Sequence, residues 1–207
     1  MHTRTFLKML AGTGAAAALG TLAGCSKAPP PGPAFQAVDV SGADYAKGFS
    51  LPDAQGRVRT LTEFKGKVVA IFFGFTQCPD VCPTTLAEMA EVKRALGPDG
   101  DRLQTIFITV DPARDTPEIL SAYMANFDPG FIALRPSPEQ LTAVAKDFKV
   151  YFKRVDGSAP GSYSMDHSAA TYLYDPQGRL RLYARYGGGA KPLLADIRQL
   201  LAESPAA

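Results

Sequence analysis

Residues 67–83 read KVVAIFFGFTQCPDVCP, an apolar run followed by two cysteines. The run 67–75 is continuously apolar rather than alternating, which predicts a central strand buried on both faces. Residues 83–96 then carry apolar side chains at helical spacing and stop before Gly97 and Pro98, which predicts a helix. The cysteines therefore lie at the carboxyl end of a strand, where open α/β sheets place their ligands.

The rest of the chain alternates predicted strands and helices, which indicates an α/β sandwich with a central mixed sheet flanked by helices. This order, with a cysteine pair after the first core strand, resembles thioredoxin. A hairpin at 49–61 would be an extra N-terminal element. Strands are predicted at 103–110, 131–134, 150–153, 168–174 and 180–186, and helices from Thr116, at 138–148 and at 191–202.

The first 24 residues are typical of the signal peptide of an exported lipoprotein. Arg4 and Lys8 precede an uncharged run, 9–23, which is shorter than the about 20 residues that span a bilayer. The following Leu22-Ala23-Gly24-Cys25 resembles the bacterial lipobox, in which the chain is cut before a cysteine that becomes lipidated. An ordinary secretory cleavage site is the alternative. We predict a signal peptide at 1–24, a lipidated Cys25 with a proline-rich tether at 25–44, and a folded domain at 45–207.

The charge of the processed chain argues against nucleic-acid binding. The full sequence has 22 basic and 20 acidic residues. Loss of Arg4 and Lys8 leaves 20 of each, with no basic run, so the usual electrostatic attraction to phosphates is missing. The same cleavage removes His2 and leaves His167 as the one histidine of the mature chain.

Cys78 and Cys82 are four positions apart, which is one helical turn. Such positions lie on one face, with α-carbons about 6 Å apart, and the amino end of a helix favours thiolates. This spacing permits two sulfur ligands on one metal, and it also permits a disulfide. Spacing alone does not choose between the two.

The ligand inventory favours copper over the alternatives. A structural disulfide would close so small a loop that it would restrain the unfolded chain little. A closed zinc site needs four ligands. Two thiols and one imidazole suit Cu(I), or Cu(II) in a trigonal site with a weak further ligand. His167 precedes the predicted strand 168–174, whose start would lie next to the cysteine loop in a thioredoxin-like sheet, although a lone histidine is usually a surface or core residue.

Four motifs carry a family resemblance: Gly74-Phe75-Thr76, Cys78-Pro79-Asp80-Val81-Cys82-Pro83, Val110-Asp111-Pro112-Ala113-Arg114-Asp115-Thr116 and Asp166-His167-Ser168. Together, over residues 45–203, they resemble the Sco (SenC-like) copper chaperones of cytochrome c oxidase assembly. The resemblance implies that Cys78, Cys82 and His167 bind copper. It also implies delivery of copper, or of reducing equivalents, to the dinuclear copper site of oxidase subunit II.

Two positions depart from related patterns. Gln77 stands where relatives often carry histidine, which puts an auxiliary role of that position in question. Ala169 stands where thioredoxin-like reductases usually carry a cis-proline facing the cysteines. The segment 111–116 is predicted to shape a loop beside the site, and Asp80 to tune the charge of the cysteines.

These observations predict an exported copper chaperone, lipid-anchored on the extracytoplasmic side of a bacterial membrane and monomeric. It would bind one Cu(I) or Cu(II) ion and have oxidase subunit II as its partner. Two alternatives use the same cysteines. One is a thiol–disulfide oxidoreductase that reduces the partner's cysteines, and the other is a redox sensor.

Overall fold

The computed structural model describes residues 34–203. The predicted signal peptide, Cys25 and the first part of the predicted tether lie outside the described residues. Within residues 34–203, no helix has both the length and the apolar character needed to cross a membrane. The strands are β1 (Val38–Asp39), β2 (Ser50–Pro52), β3 (Val58–Thr60), β4 (Val68–Gly74), β5 (Leu103–Thr109), β6 (Ile132–Leu134), β7 (Phe152–Asp156), β8 (Tyr163–His167), β9 (Ala170–Tyr174) and β10 (Leu180–Arg185); the α-helices are α1 (Val81–Ala95), α2 (Pro117–Ala125), α3 (Pro138–Phe148) and α4 (Ala190–Ala202), with 3₁₀ turns at Leu61–Phe64 and Gly97–Arg102.

The main sheet of the described chain has six strands in the order β1-β10-β9-β4-β5-β6. Strand β4 pairs in parallel with β5 and antiparallel with β9, so the sheet is mixed. Every residue of β4 and β5 is buried, which confirms the prediction of strands covered on both faces. Their apolar side chains supply the centre of the core.

Successive side chains of β4 point to opposite sides of the sheet, and all of them are buried. Both faces of the sheet are therefore covered by packed elements. Phe73 packs against Phe148 of α3, with ring centroids 5.2 Å apart. Phe72 points to the other face, where its ring lies 6.1 Å from that of His167. The thioredoxin-like sandwich is confirmed, and β2 and β3 form the predicted extra hairpin.

Three features differ from the sequence prediction. Strand β1 pairs with β10, so the fold includes residues from the segment 25–44 predicted as a tether. Helix α1 begins at Val81 rather than Pro83, which places Cys82 in its first turn. Strand β8 was not predicted; it pairs with β7 as a separate hairpin and ends at His167.

Candidate metal centre

Three separate elements bring Cys78, Cys82 and His167 together. Cys78 lies in the loop after β4, Cys82 in the first turn of α1, and His167 at the end of β8. Their ligand atoms all lie within 4.8 Å of one another. Cys82 Sγ is 3.6 Å from His167 Nε2, although 85 positions separate the two residues in the chain. The structure thus brings together all three predicted site residues.

The two cysteines do not form a disulfide, and their pKa values are shifted in opposite directions. A hydrogen bond from the Cys82 thiol, helped by the backbone N–H groups of Asp80 and Cys82, lowers the pKa of Cys78 to about 5. Cys82 donates that hydrogen bond and is fully buried, and both effects raise its pKa. At neutral pH the site therefore has a half-buried thiolate at Cys78 and a protonated thiol at Cys82.

A hydrogen bond to the backbone of the next residue orients the ring of His167. Its Nδ1 lies 2.9 Å from the carbonyl oxygen of Ser168, which can only accept a hydrogen bond, so Nδ1 carries the proton. In the neutral ring the free lone pair is then on Nε2, which lies 3.6 Å from Cys82 Sγ. Phe75 packs edge-on against the ring at 5.8 Å. A carbonyl that fixes the tautomer in this way is a common arrangement around a metal-binding histidine.

Gly74 allows the approach of Cys82 to the sheet. A β-carbon at this position would lie 2.8 Å from Cys82 Sγ, 2.7 Å from the Phe107 ring and 2.9 Å from the Phe72 ring. Contacts this short do not occur between real side chains, so a larger residue would push the sulfur away. The absence of a side chain at the end of β4 makes room for the buried thiol.

The segment 111–116 supports the cysteine loop from the side. Asp115 is fully buried and accepts hydrogen bonds from the hydroxyl of Thr76, at 2.6 Å, and from the hydroxyl of Thr109. Burial raises the pKa of Asp115 above its ordinary value, against the opposing effect of these hydrogen bonds. The loop beside the site was predicted, but the bond between Asp115 and Thr76 was not.

Other contacts of the site were missed because they join distant positions. Arg114 donates hydrogen bonds to Gln77 and to the backbone of Tyr163. Gln77, which departs from the related pattern, therefore has a structural partner. Asp80 is exposed and accepts a hydrogen bond from the hydroxyl of Thr84, so it belongs to the start of α1.

The donor set fits a soft metal ion. Two sulfur atoms and one imidazole nitrogen are ligands that bind copper in preference to hard cations such as Mg²⁺ or Ca²⁺. One sulfur is already ionised near neutral pH, and the buried one would lose its proton when a metal binds. The partial burial of Cys78 and His167 leaves access to the site from solvent.

Comparison with known proteins identifies the family. The sequence model of the SCO1/SenC family matches residues 38–202, which is most of the chain. The chain belongs to the SCO1/SenC family. A SCO2-like protein of Rickettsia felis is 42% identical over 132 residues, which cover 63% of this chain and 64% of that relative's length.

Solved structures of SCO1/SenC relatives match the fold. ScoI of Bradyrhizobium japonicum, solved with copper bound, is 42% identical, with a TM-score of 0.68, and the match covers 74% of this chain and 98% of that one. The apo Sco1 protein of Thermus thermophilus is 37% identical, with a TM-score of 0.72, over 81% of this chain and 98% of that one. Both support the thioredoxin-like fold.

Proposed function

We propose that this protein is a copper chaperone that carries one copper ion on Cys78, Cys82 and His167. The observation that carries the proposal is the convergence of two sulfur atoms and one imidazole nitrogen within 4.8 Å. A copper-bound relative at 42% identity supports the choice of metal. Cu(I) suits the two thiolates, and Cu(II) suits the trigonal Cys₂His set with a weak further ligand.

The recipient of the copper would be the dinuclear copper site of cytochrome c oxidase subunit II, as the family resemblance implies. Transfer would proceed by ligand exchange, in which incoming sulfur or nitrogen ligands replace those of the chaperone one at a time. The half-buried Cys78 is the first sulfur that such a partner can reach, because Cys82 is fully buried.

Copper titration of the reduced domain, residues 34–207, tests the metal site. We expect one equivalent of Cu(I) or Cu(II) and, for Cu(II), a thiolate-to-copper charge-transfer band. His167→Ala should weaken binding by more than the ~10–100-fold typical of losing an outer-shell partner. Asp166→Asn, at an exposed neighbouring position, is the matched control. Equal affinity of the His167→Ala variant and the parent would refute the ligand assignment.

A second function, thiol–disulfide exchange, is favoured by the unequal acidity of the two cysteines. The Cys78 thiolate would attack a partner disulfide, form a mixed disulfide and release one partner thiolate. Cys82 would then lose its proton and attack the Cys78 sulfur, which leaves a Cys78–Cys82 disulfide and a fully reduced partner. Reduction of a subunit II peptide disulfide by the reduced, metal-free domain, abolished in Cys78→Ser, would support this role.

The location we propose is the extracytoplasmic face of a bacterial membrane, with a lipid on Cys25 and a monomeric domain. The support is the sequence before residue 34, which has the order of a lipoprotein signal. Cys25→Ser should move the protein from the membrane fraction to the soluble fraction. Unchanged membrane association of this variant would contradict the anchor.

A further inference from the structure

Arg114 lies between β5 and α2 and contacts both the loop that carries Cys78 and the strand that ends at His167. Its Nη1 donates one hydrogen bond to Oε1 of Gln77 at 3.0 Å and another to the carbonyl oxygen of Tyr163 at 2.8 Å. Gln77 immediately precedes Cys78, and Tyr163 begins the strand that ends at His167. A single guanidinium nitrogen thus joins the cysteine loop to the histidine strand.

Further contacts hold the guanidinium of Arg114 in this position. Its centre lies 3.5 Å from the centroid of the Tyr163 ring, and Nε donates to Oδ2 of Asp111. The hydroxyl of Tyr163 donates to Oδ1 of the same Asp111 at 2.9 Å. Arg114, Tyr163 and Asp111 therefore all contact one another. Nη2 is buried without a hydrogen-bond partner among the described residues, a cost that these contacts must offset.

The hairpin of β7 and β8 needs an external support. Within the described chain these two strands pair only with each other, and isolated hairpins are marginally stable. At one end Tyr151 and Ser168 exchange hydrogen bonds beside His167. The other end, at Tyr163, lies about 13 Å away along β8. The contacts with Arg114 and Asp111 are at that far end.

We propose that Arg114 is a positioning residue that fixes the direction of β8 and so holds His167 against the two cysteines. The inference rests on the proposed copper site and names the residue that assembles it. Arg154 provides a matched control, since it covers the other face of the Tyr163 ring at 4.0 Å. It is 56% exposed and pairs with Asp156, at the tip of the same hairpin.

The first test uses the reduced, metal-free domain, residues 34–207. Arg114→Met should accelerate amide hydrogen exchange in β8 by about tenfold and shift the NMR signals of the His167 ring. Arg154→Met should leave both nearly unchanged. Unchanged β8 exchange and His167 signals in Arg114→Met would overturn the proposal, whatever the protein does with copper.

The second test is a double-mutant cycle with copper as the probe. Arg114→Met should weaken Cu(I) binding about tenfold in the parent, as outer-shell losses commonly do. It should have no effect when combined with His167→Ala, because it acts through that ring. It should also weaken the nitrogen coupling in the EPR spectrum of the Cu(II) form. An equal loss of affinity in both backgrounds would overturn the proposal.

The role of Arg114 can still be tested if Arg114→Met does not fold or if His167 is not a copper ligand. If Arg114→Met does not fold, Arg114→Lys takes its place, because lysine keeps the charge but loses the planar fork and the ring stacking. It should then show the same changes at smaller size, and wild-type behaviour would overturn the proposal. If His167→Ala does not weaken copper binding, the proposed copper ligand fails, and the metal-free exchange experiment still decides the role of Arg114.

Discussion

The ionisation of Cys78 is the property of a single residue on which the chemistry of the site depends most. Its pKa of about 5 follows from the hydrogen bond donated by Cys82. We predict that the rate of Cys78 alkylation by iodoacetamide in the reduced, metal-free domain rises with pH and is half-maximal near pH 5. In Cys82→Ala, which lacks the donor, this midpoint should move toward the ordinary cysteine value of about 8.5. A midpoint near 8.5 in the parent would contradict the assignment.

Gly74 sets the room available to the buried sulfur. We predict that Gly74→Ala costs about 1–3 kcal/mol of unfolding free energy, because the added methyl group meets Cys82 Sγ and two phenyl rings. It should also change the energy of the Cu(II)–thiolate band. Gly188→Ala is the control, since its new β-carbon would meet only the Arg185 carbonyl at 3.9 Å. Equal denaturant midpoints for the two variants would show that the sheet accommodates the methyl group.

At the scale of elements, two hairpins share one turn design. Residues 53–59 and 175–181 both follow the pattern Asp-x-Gln-Gly-Arg-x-Arg. In each, the buried aspartate accepts backbone N–H bonds from the glutamine and the first arginine, and it pairs with both arginine side chains. The first turn joins β2 to β3, and the second joins β9 to β10.

The same substitution in the two turns should have different consequences. Asp53→Asn and Asp175→Asn should each cost about 1–3 kcal/mol locally, because the arginines lose a charged acceptor. Asp175→Asn should lower global stability, since β9 and β10 belong to the six-stranded sheet. Asp53→Asn should mainly speed hydrogen exchange in β2 and β3. Asp44→Asn, in an exposed ion pair, serves as the control. A global loss for Asp53→Asn equal to that of Asp175→Asn would contradict this division.

The elements that the sequence predicts are those with a strong local pattern. Strand β4 is an unbroken apolar run, and β5 has the apolar centre Ile106-Phe107-Ile108. The Ser137 cap with Gln140 marks the start of α3. Strand β8 escapes prediction because only Met165 among its five residues is buried. The contacts of Arg114 join positions 37 and 49 apart in the chain, and local patterns carry no information about such distances. His167 could be placed only through the resemblance to a known fold.

At the scale of the whole molecule, the N-terminal part of the described chain closes the sheet at the edge away from β6. The backbone N–H groups of Gln36 and Ala37 each donate at 2.8 Å to the carboxylate of Asp196 in α4. Asp196 is 2% exposed, so these donors replace the water it has lost. Val38 then pairs with Tyr183 of β10. These contacts tie residues 36–38 to the last helix and the last strand.

Removal of this segment should therefore destabilise the entire domain. We predict that a chain starting at residue 45 is less stable than one starting at residue 34 by at least about 2 kcal/mol, since Asp196 loses two backbone donors and β10 loses its edge partner β1. Asp196→Asn should cost stability in the longer chain, where the carboxylate accepts two backbone hydrogen bonds, and have little effect in the shorter one, where both donors are absent. Copper stoichiometry should stay at one in both chains, because β4, which leads into the cysteine loop, lies three strands away from β1. Equal urea midpoints for the two chains would mean that residues 34–44 contribute nothing to the fold.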